Sequence, residues 1–296
     1  MTTPTAELNF SAHSWLAVTA LKPFSRRNDR RDAMSYYASS ASLGVPEVLQ
    51  TSSKKEINQI MTNAIRAHAK RLGRRLSIAE AGCGQRWTLD LSDIEYTLTG
   101  IDLDPVALEL RQTRVGDLDV AIVGDLCSLR LPEASFDIVF SSFVLEHVPR
   151  ADIALENLIR WLKPGGLLIL RLPDRNTARG FLTRVLPYKV HVLFYRYLLG
   201  SKTAGQPGHA PYPTYYHPVI TRERLCRFLG QQGLRCLAIY GDGFRRDGKG
   251  MTQQLLHATL KVTSILSLGR LTAKYANLLY IAAKDGQNAL HAENAK

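Results

Sequence analysis

The sequence predicts an α/β protein built on a Rossmann-like, doubly wound sheet of seven mostly parallel strands. Five short apolar runs recur over residues 76–171 with helix-length spacings between them, which is typical of strand-helix-strand units. The first run ends in a glycine turn, where such sheets bring their backbone close to a nucleoside-bearing ligand. We expect these strands near residues 76–81, 96–101, 119–123, 136–141 and 166–171, with helices between them.

The segments on either side complete the predicted domain. Residues 1–52 lack periodicity and predict a flexible N-terminal arm or partial lid, whereas residues 53–296 form the main domain. Ser53 followed by Glu56 is a capping box that opens an amphipathic helix before the first strand. Later, residues 220–235 predict another amphipathic helix, followed by a sixth strand near 236–240 and a seventh near 277–284.

The glycine turn indicates the kind of ligand. A carboxylate at Glu80 precedes it, and the next apolar run ends in Asp102, 22 residues later, a spacing that places an acid against ribose hydroxyls. A dinucleotide site would have a third glycine near its pyrophosphate, but Arg86 stands there. The pattern therefore predicts a nucleoside cofactor without phosphates. The turn itself consists of Gly82, Cys83 and Gly84.

At these residues the chain resembles the class I S-adenosylmethionine-dependent methyltransferases. Their first motif, acid-x-G-x-G-x-G, is matched at Glu80, Gly82 and Gly84 and departed from at Arg86. The second, G-hydrophobic-D, ends here in Asp102. The family's later motifs follow in order as V-G-D-L (123–126), F-D-I-V-F-S-S-F-V-L-E-H-V (136–148) and L-K-P-G-G-L-L-I-L (162–170).

The resemblance implies S-adenosyl-L-methionine as cofactor, an antiparallel seventh strand and a helical insertion after the fifth. Residues 174–219 and 241–276 lie outside the minimal fold, beyond the carboxyl ends of strands, and are rich in aromatic and apolar side chains. Open sheets bind ligands at such ends, so we expect the acceptor site there; helical decorations that only cover apolar surface are the alternative. The cofactor-binding residues that the resemblance implies are Glu80, Gly82, Cys83, Gly84, Asp102, Leu103, Gly124, Asp125, Leu126 and Ser141.

Charge is unevenly distributed along the chain. Residues 1–174 hold 20 Lys and Arg against 21 Asp and Glu, a net charge of −1, whereas residues 175–296 hold 18 against 5, a net charge of +13. Because the family places much of its substrate-specific sequence after the fifth strand, this excess predicts an anionic acceptor or contact with an anionic membrane surface. A solvated basic surface without a partner is the alternative.

Catalysis of methyl transfer depends mainly on positioning and desolvation, because the donor is already activated. A hydroxyl acceptor additionally needs a base, for which His147 and His217 are candidates, with Tyr216 as an orienting group. The L-E-H-V segment also resembles the quinone-biosynthesis O-methyltransferases, in which a further acid, replaced here by Phe143, helps to bind a metal. Only Glu146 and His147 remain, so we expect no metal.

The sequence therefore predicts an enzyme that methylates a small or lipid-linked acceptor, such as a lipid or secondary metabolite, with oxygen favoured over nitrogen or carbon. Two alternatives remain open: an RNA or protein methyltransferase that uses the basic C-terminal half, and a non-catalytic binding protein, which Arg86 would favour. No nucleic-acid recognition module is visible. Four cysteines without paired spacing, no signal pattern and no long apolar run predict a cytoplasmic protein.

Overall fold

The computed structural model describes residues 45–286 except residues 52, 199, 201, 203–211, 213 and 243–250. They form a single eight-stranded mixed sheet covered by helices. The strands are β1 (Val48–Thr51), β2 (Leu76–Ala81), β3 (Tyr96–Asp102), β4 (Val120–Val123), β5 (Phe136–Ser142), β6 (Leu162–Pro173), β7 (Leu234–Asp242) and β8 (Asn277–Lys284). The helices are α1 (Lys54–Leu72), α2 (Pro105–Leu110), α3 (Ala151–Trp161), α4 (Ala178–Val185), α5 (Tyr188–Leu193), α6 (Arg222–Gln231) and α7 (Met251–Leu266).

The strand order across the sheet is β1-β7-β8-β6-β5-β2-β3-β4. Only β8 runs antiparallel to its neighbours, β6 and β7, and all other pairs are parallel. Helix α1 packs on one face of the sheet, and helices α3 and α6 pack on the other. This arrangement confirms the predicted α/β class, because a parallel sheet must be covered on both faces to bury its apolar strands.

The sheet has eight strands rather than the predicted seven, because part of the expected N-terminal arm is strand β1. Strand β1 pairs with β7 in parallel, and the Thr51 hydroxyl donates to the Gly241 carbonyl at 3.1 Å. Of the rest of the predicted arm, residues 1–44 and 52 lie outside the described residues. Helix α1 begins as the capping box predicts, since the Ser53 hydroxyl accepts from the Glu56 amide at 3.2 Å.

The predicted helices between β2 and β3 and between β4 and β5 are absent, although residues 82–95 and 124–135 are fully described. In the first connection, Leu89 and Leu91 are buried, with an exposed residue between them. This alternation suits an extended segment rather than a helix. The segment is held against α1, because Arg66 donates to Asp93 at 2.7 and 2.8 Å.

The segment that follows β6 lies beside the segment that precedes β8. The Asp174 amide donates to the Ala276 carbonyl at 3.0 Å, and the Ala178 amide donates to the Thr272 carbonyl at 2.9 Å. The start of α4 therefore lies beside the segment that links the end of α7 to β8. Within the described residues, no helix is both long and apolar enough to span a membrane.

Helix α4 begins close to the end of β6, with little room at Gly180. A Cβ atom at Gly180 would lie 2.4 Å from the backbone oxygen of Asp174, so Gly180→Ala should lower the free energy of unfolding by about 1–3 kcal/mol. The matched control is Gly230→Ala in α6, where nothing lies within 4 Å and stability should hold or rise by up to about 1 kcal/mol. Equal urea unfolding curves for the two variants would contradict this account of α4.

Candidate functional site

The glycine turn lies at the carboxyl end of β2, beside the end of β3. Gly82 and Gly84 have φ angles of 71° and 54°, in the left-handed region that glycine adopts most readily. The amides of Gly82 and Cys83 both donate to the Ile101 carbonyl, at 2.8 and 3.1 Å. The turn is therefore fixed against the neighbouring strand, β3.

Asp102, the last residue of β3, faces this turn. One carboxylate oxygen accepts from the Gly84 amide at 2.7 Å, and the other accepts from the Asp104 amide at 3.0 Å. A carboxylate oxygen can accept more than one hydrogen bond, so both can still receive ribose hydroxyls. Leu103 follows with 69% of its surface exposed, which leaves an apolar side chain at the same strand end.

The space around the turn is asymmetric. A Cβ atom at Gly82 would lie 2.2 Å from Cγ2 of Val144, whereas a Cβ atom at Gly84 would meet nothing within 4 Å. Gly82 is therefore needed for the close approach of the loop that follows β5, and open space for a ligand lies at Gly84. Arg86, at the third glycine position of the motif, has an exposed side chain and leaves this space open.

The end of β4 supplies the next group of predicted residues. The Gly124 amide donates to the Asp102 carbonyl at 3.0 Å, so the β3 and β4 ends are tied together. Asp125 is exposed and accepts from the Cys127 amide at 2.9 Å, and Leu126 beside it is buried. Carboxylates on two adjacent strand ends beside an open glycine turn suit a nucleoside that carries positive charge, and they suit S-adenosylmethionine better than a phosphate-bearing cofactor.

Glu80 does not point into this space. Its carboxylate forms an ion pair with the fully buried Arg111 at 2.9 Å, and Arg111 also donates to the Cys83 carbonyl at 2.9 Å and to Asp117 at 2.8 Å. Burial raises the pKa of Glu80, while the facing guanidinium acts in the opposite direction. Glu80 therefore supports the turn indirectly, through Arg111. The sequence analysis does not predict this role of Arg111.

Cys83 and Ser141, which are also predicted to bind the cofactor, are both buried. Cys83 is buried in the apolar core, and burial raises the pKa of its thiol to about 12, so it is not poised as a nucleophile. The Ser141 hydroxyl is buried and donates to the Ala81 carbonyl at 2.9 Å, which links β5 to β2 just before the turn.

A second group of polar side chains lies in the loop after β5. Glu146 is buried, its carbonyl accepts from the Tyr215 amide at 2.8 Å, and its Oε1 lies 3.8 Å from Nε2 of His147. Its Oε2 is also buried and accepts no hydrogen bond from the described residues. Burial raises the pKa of this carboxyl to about 7. An acid that titrates near neutrality next to a histidine can take part in proton transfer.

Aromatic side chains lie near this acid and the adjacent His147. Tyr216 is buried, and burial together with the nearby Glu146 raises the pKa of its hydroxyl to about 12. The His147 ring packs edge-on against Tyr212, with centroids 5.8 Å apart. Phe143 and Tyr216 have φ angles of 59° and 46°, a backbone conformation that side-chain-bearing residues rarely adopt and that is concentrated at functional sites.

His217 is placed differently from the other two predicted catalytic residues. Its Nδ1 accepts from the Val219 amide at 3.3 Å, and its Nε2 lies 3.7 Å from Asp152 on α3. It lines a surface groove of about 310 Å³ that also includes Arg224 and Arg227 of α6. The structure thus groups His147 and Tyr216 around Glu146 and gives His217 a capping role. Among the described residues, no three His, Cys, Asp or Glu side chains are arranged as a metal site.

Comparison with known proteins finds matches over this part of the chain. Residues 79–170 match the family described as "Methyltransferase domain". The match begins in β2 and ends in β6, so it contains the glycine turn, Asp102, Asp125 and the loop that carries Glu146.

Individual relatives match over similar lengths. A probable S-adenosylmethionine-dependent methyltransferase of Mycolicibacterium smegmatis is 33% identical over 34% of this chain and 39% of its own length. A 2-methyl-6-phytyl-1,4-hydroquinone methyltransferase of Synechocystis is 30% identical over 32% of this chain and 31% of its own. A ubiquinone biosynthesis O-methyltransferase of Nitrosococcus oceani is 31% identical over 44% of this chain and 56% of its own. The matched part of this chain thus spans 31% to 56% of the length of these relatives.

Arg111 provides a test of how the glycine turn is held. Arg111→Met leaves Glu80 buried without its partner, so the free energy of unfolding should fall by about 3–5 kcal/mol. Arg114→Met, four residues from the end of α2 and exposed, is the matched control and should change stability by no more than about 0.5 kcal/mol. Adding Glu80→Gln to Arg111→Met should restore part of the loss in urea unfolding at neutral pH. Equal stability of the two arginine variants would contradict the role of Arg111.

Proposed function

We propose that this chain, which contains a class I S-adenosylmethionine-dependent methyltransferase domain, methylates a hydroxyl group of a small or lipid-linked acceptor. The observation that carries this proposal is the buried carboxyl of Glu146, which has one oxygen without a described partner and lies beside His147. Methyl transfer to an oxygen requires a group that removes the hydroxyl proton, and Glu146 and His147 together meet that requirement.

The cofactor would be held at the ends of β2, β3 and β4. The Asp102 carboxylate would accept from the ribose hydroxyls, the Gly84 turn offers open space, and the exposed Asp125 at the end of β4 would bind the adenine. When bound, S-adenosylmethionine supplies a methyl group on a positively charged sulfur, which leaves as the uncharged thioether. Val144 connects this site to the second one, because it touches Gly82 and precedes Glu146 by two residues.

Proton removal is the step that the described residues can perform themselves. His147 is partly exposed, with 29% of its side chain accessible, so its ring can reach an acceptor hydroxyl. The Glu146 carboxylate behind it would stabilise the imidazolium that forms when His147 takes the proton. This pairing works only when Glu146 is ionised, so activity should depend on the ionisation of a group with a pKa of about 7.

The acceptor class is supported by three observations. Two of the relatives are named for a hydroquinone substrate and for O-methylation in ubiquinone biosynthesis. Exposed aromatic side chains, Phe143 and Tyr215, flank Glu146. The half of the chain after residue 174 has a net charge of +13, which suits an anionic acceptor or one displayed on an anionic surface. A phenolic lipid combines the ring hydroxyl, apolar body and membrane location that these features favour.

Glu146→Gln tests the catalytic proposal. With methyl-labelled S-adenosylmethionine and phenolic lipids as acceptors, label transfer by the unmodified chain should fall as pH drops through about 7, and the variant should lose at least about 100-fold at pH 8. The matched control is Glu156→Gln on the exposed face of α3, which should keep the unmodified rate and pH profile. An unchanged pH profile in Glu146→Gln would contradict the role of Glu146. Transfer only to RNA or protein would contradict the acceptor class.

Stability gives an independent check on the same residue. The folded-state pKa of Glu146 is raised, so its protonated form stabilises the fold at low pH, and this contribution is lost as pH rises through about 7. The Glu146→Gln variant should therefore be at least as stable as the unmodified chain at about pH 8. A large loss of stability at that pH would show that the carboxylate is a structural group.

Asp102→Asn tests the cofactor site separately from catalysis. Removal of the charge weakens the bonds from the Gly84 amide and the ribose hydroxyls, so S-adenosylmethionine affinity should fall by about 1.5–3 kcal/mol in calorimetric titration. Glu109→Gln, an exposed position on α2, is the matched control and should bind normally. Unchanged affinity of Asp102→Asn would contradict the assignment of the ribose site.

A further inference from the structure

Exposed apolar side chains are concentrated on one part of the molecule. Of the 21 large hydrophobic residues that are exposed in the described part of the chain, 11 lie on α4, α5, α7 and the residues next to them. We call this area the α4–α5–α7 surface, made of residues 175–198 and 251–276. Its exposed members are Phe181, Val185, Leu186, Val190, Leu193, Tyr197, Leu255, Val262, Ile265, Leu266 and Leu268.

Helix α7 shows the pattern most clearly. Leu255, Val262 and Leu266 are 67%, 53% and 78% exposed, and their spacing of seven and four residues places them on one side of the helix. Leu260 is buried on the opposite side. An ordinary surface helix buries its apolar side and exposes polar residues, so α7 carries an apolar stripe beyond what its packing uses.

Helix α5 and the π-helix that directly follows it, Phe194–Leu198, repeat this arrangement. Val190, Leu193 and Tyr197 follow one another at intervals of three and four residues and are 39%, 51% and 80% exposed. Phe181 and Val185 on α4 are four residues apart and also exposed, and α4 contacts α7. The exposed stripes therefore belong to helices that are connected or packed together. A concentration of exposed apolar side chains of this kind marks a site of interaction.

The charge of the same surface indicates what it meets. Residues 175–198 and 251–276 contain eight Lys and Arg residues and no Asp or Glu. A second copy would bring two positive surfaces together, which is unfavourable. Residues 1–44 would also be a poor cover, because they hold five Lys and Arg against three Asp and Glu. Exposed apolar stripes between positive charges match the boundary of an anionic lipid bilayer, where apolar side chains enter the acyl region and cations meet phosphate groups.

The position of the surface relative to the site agrees with this partner. Segments 175–198 and 251–276 meet where β6 ends and β8 begins. Arg175 links the first segment to the candidate site, because it donates to the Tyr216 carbonyl at 3.1 Å. We propose that the α4–α5–α7 surface docks peripherally on anionic membranes and holds the acceptor site at the lipid surface. The link to the acceptor rests on the proposed function, whereas lipid binding itself does not.

Cosedimentation of the full chain with vesicles tests the proposal without cofactor or turnover. Binding to phosphatidylcholine vesicles that contain phosphatidylglycerol should exceed binding to pure phosphatidylcholine vesicles by roughly 100-fold and should weaken as salt is raised. Equal binding to both vesicle types, or no binding to either, would overturn the proposal.

Variants separate the charged and apolar contributions. Replacing Lys189, Lys261 and Lys274 with Gln should weaken vesicle binding by about fivefold per residue, while the same change at the exposed Lys54, Lys55 and Lys70 of α1 should leave it nearly unchanged. Leu255→Gln, Val262→Gln and Leu266→Gln together should weaken it by at least about tenfold. Leu49→Gln with Val115→Gln, two exposed positions elsewhere, is the apolar control.

Two further readouts keep this proposal distinguishable from the proposed function. All variants should bind S-adenosylmethionine normally and unfold at the same temperature, because the changed positions are exposed and distant in sequence from the glycine turn. Loss of vesicle binding with methylation of a detergent-dispersed acceptor retained supports the proposal. Vesicle binding that survives all surface variants would overturn it, even if methylation is confirmed. A chain that forms dimers disrupted only by the α7 variants would show that a second copy covers this surface.

Discussion

The ion pairs and hydrogen bonds of the buried Arg111 guanidinium are the interactions on which the glycine turn depends. The guanidinium joins Glu80 at the end of β2, the carbonyl of Cys83 inside the glycine turn and Asp117 before β4. Because no helix follows the turn, the turn cannot be positioned by helix packing, and Arg111 with the bond from the Gly84 amide to Asp102 takes over that task. A charge this deeply buried is tolerated because its three partners satisfy it.

The loop after β5 connects the glycine turn to a region with strained backbone. Val144 lies against Gly82, so the loop cannot shift without disturbing the turn. Two aromatic residues in the left-handed region, Phe143 and Tyr216, flank Glu146. Surrounding contacts must hold such conformations, and one is the bond from the Phe143 amide to the Arg171 carbonyl at 2.7 Å. The position of Glu146 is therefore set by the backbone around it, including the bond from the Tyr215 amide to the Glu146 carbonyl.

The sequence predicts well what depends on local pattern and poorly what depends on distant pairing. Apolar runs locate the strands to within a few residues, and Asn277–Lys284 matches its predicted range at both ends. The predicted helix after the glycine turn is wrong, since Leu89 and Leu91 alternate with exposed positions. Arg111 lies 31 residues from Glu80, and no local pattern marks a pairing at that distance. Likewise, the burial that raises the pKa of Glu146 arises from tertiary packing.

Strand β1 is only four residues long, yet its place in the sheet has a consequence for how the protein behaves in concentrated solution. It covers residues 239–242 of β7, whose amide and carbonyl groups would otherwise be an open row for pairing with another chain. Proteolytic loss of the first 51 residues would uncover that row beside the apolar strands β7 and β8. Strand β1 thus limits edge-to-edge pairing between chains and contributes to the colloidal stability of the protein in this way.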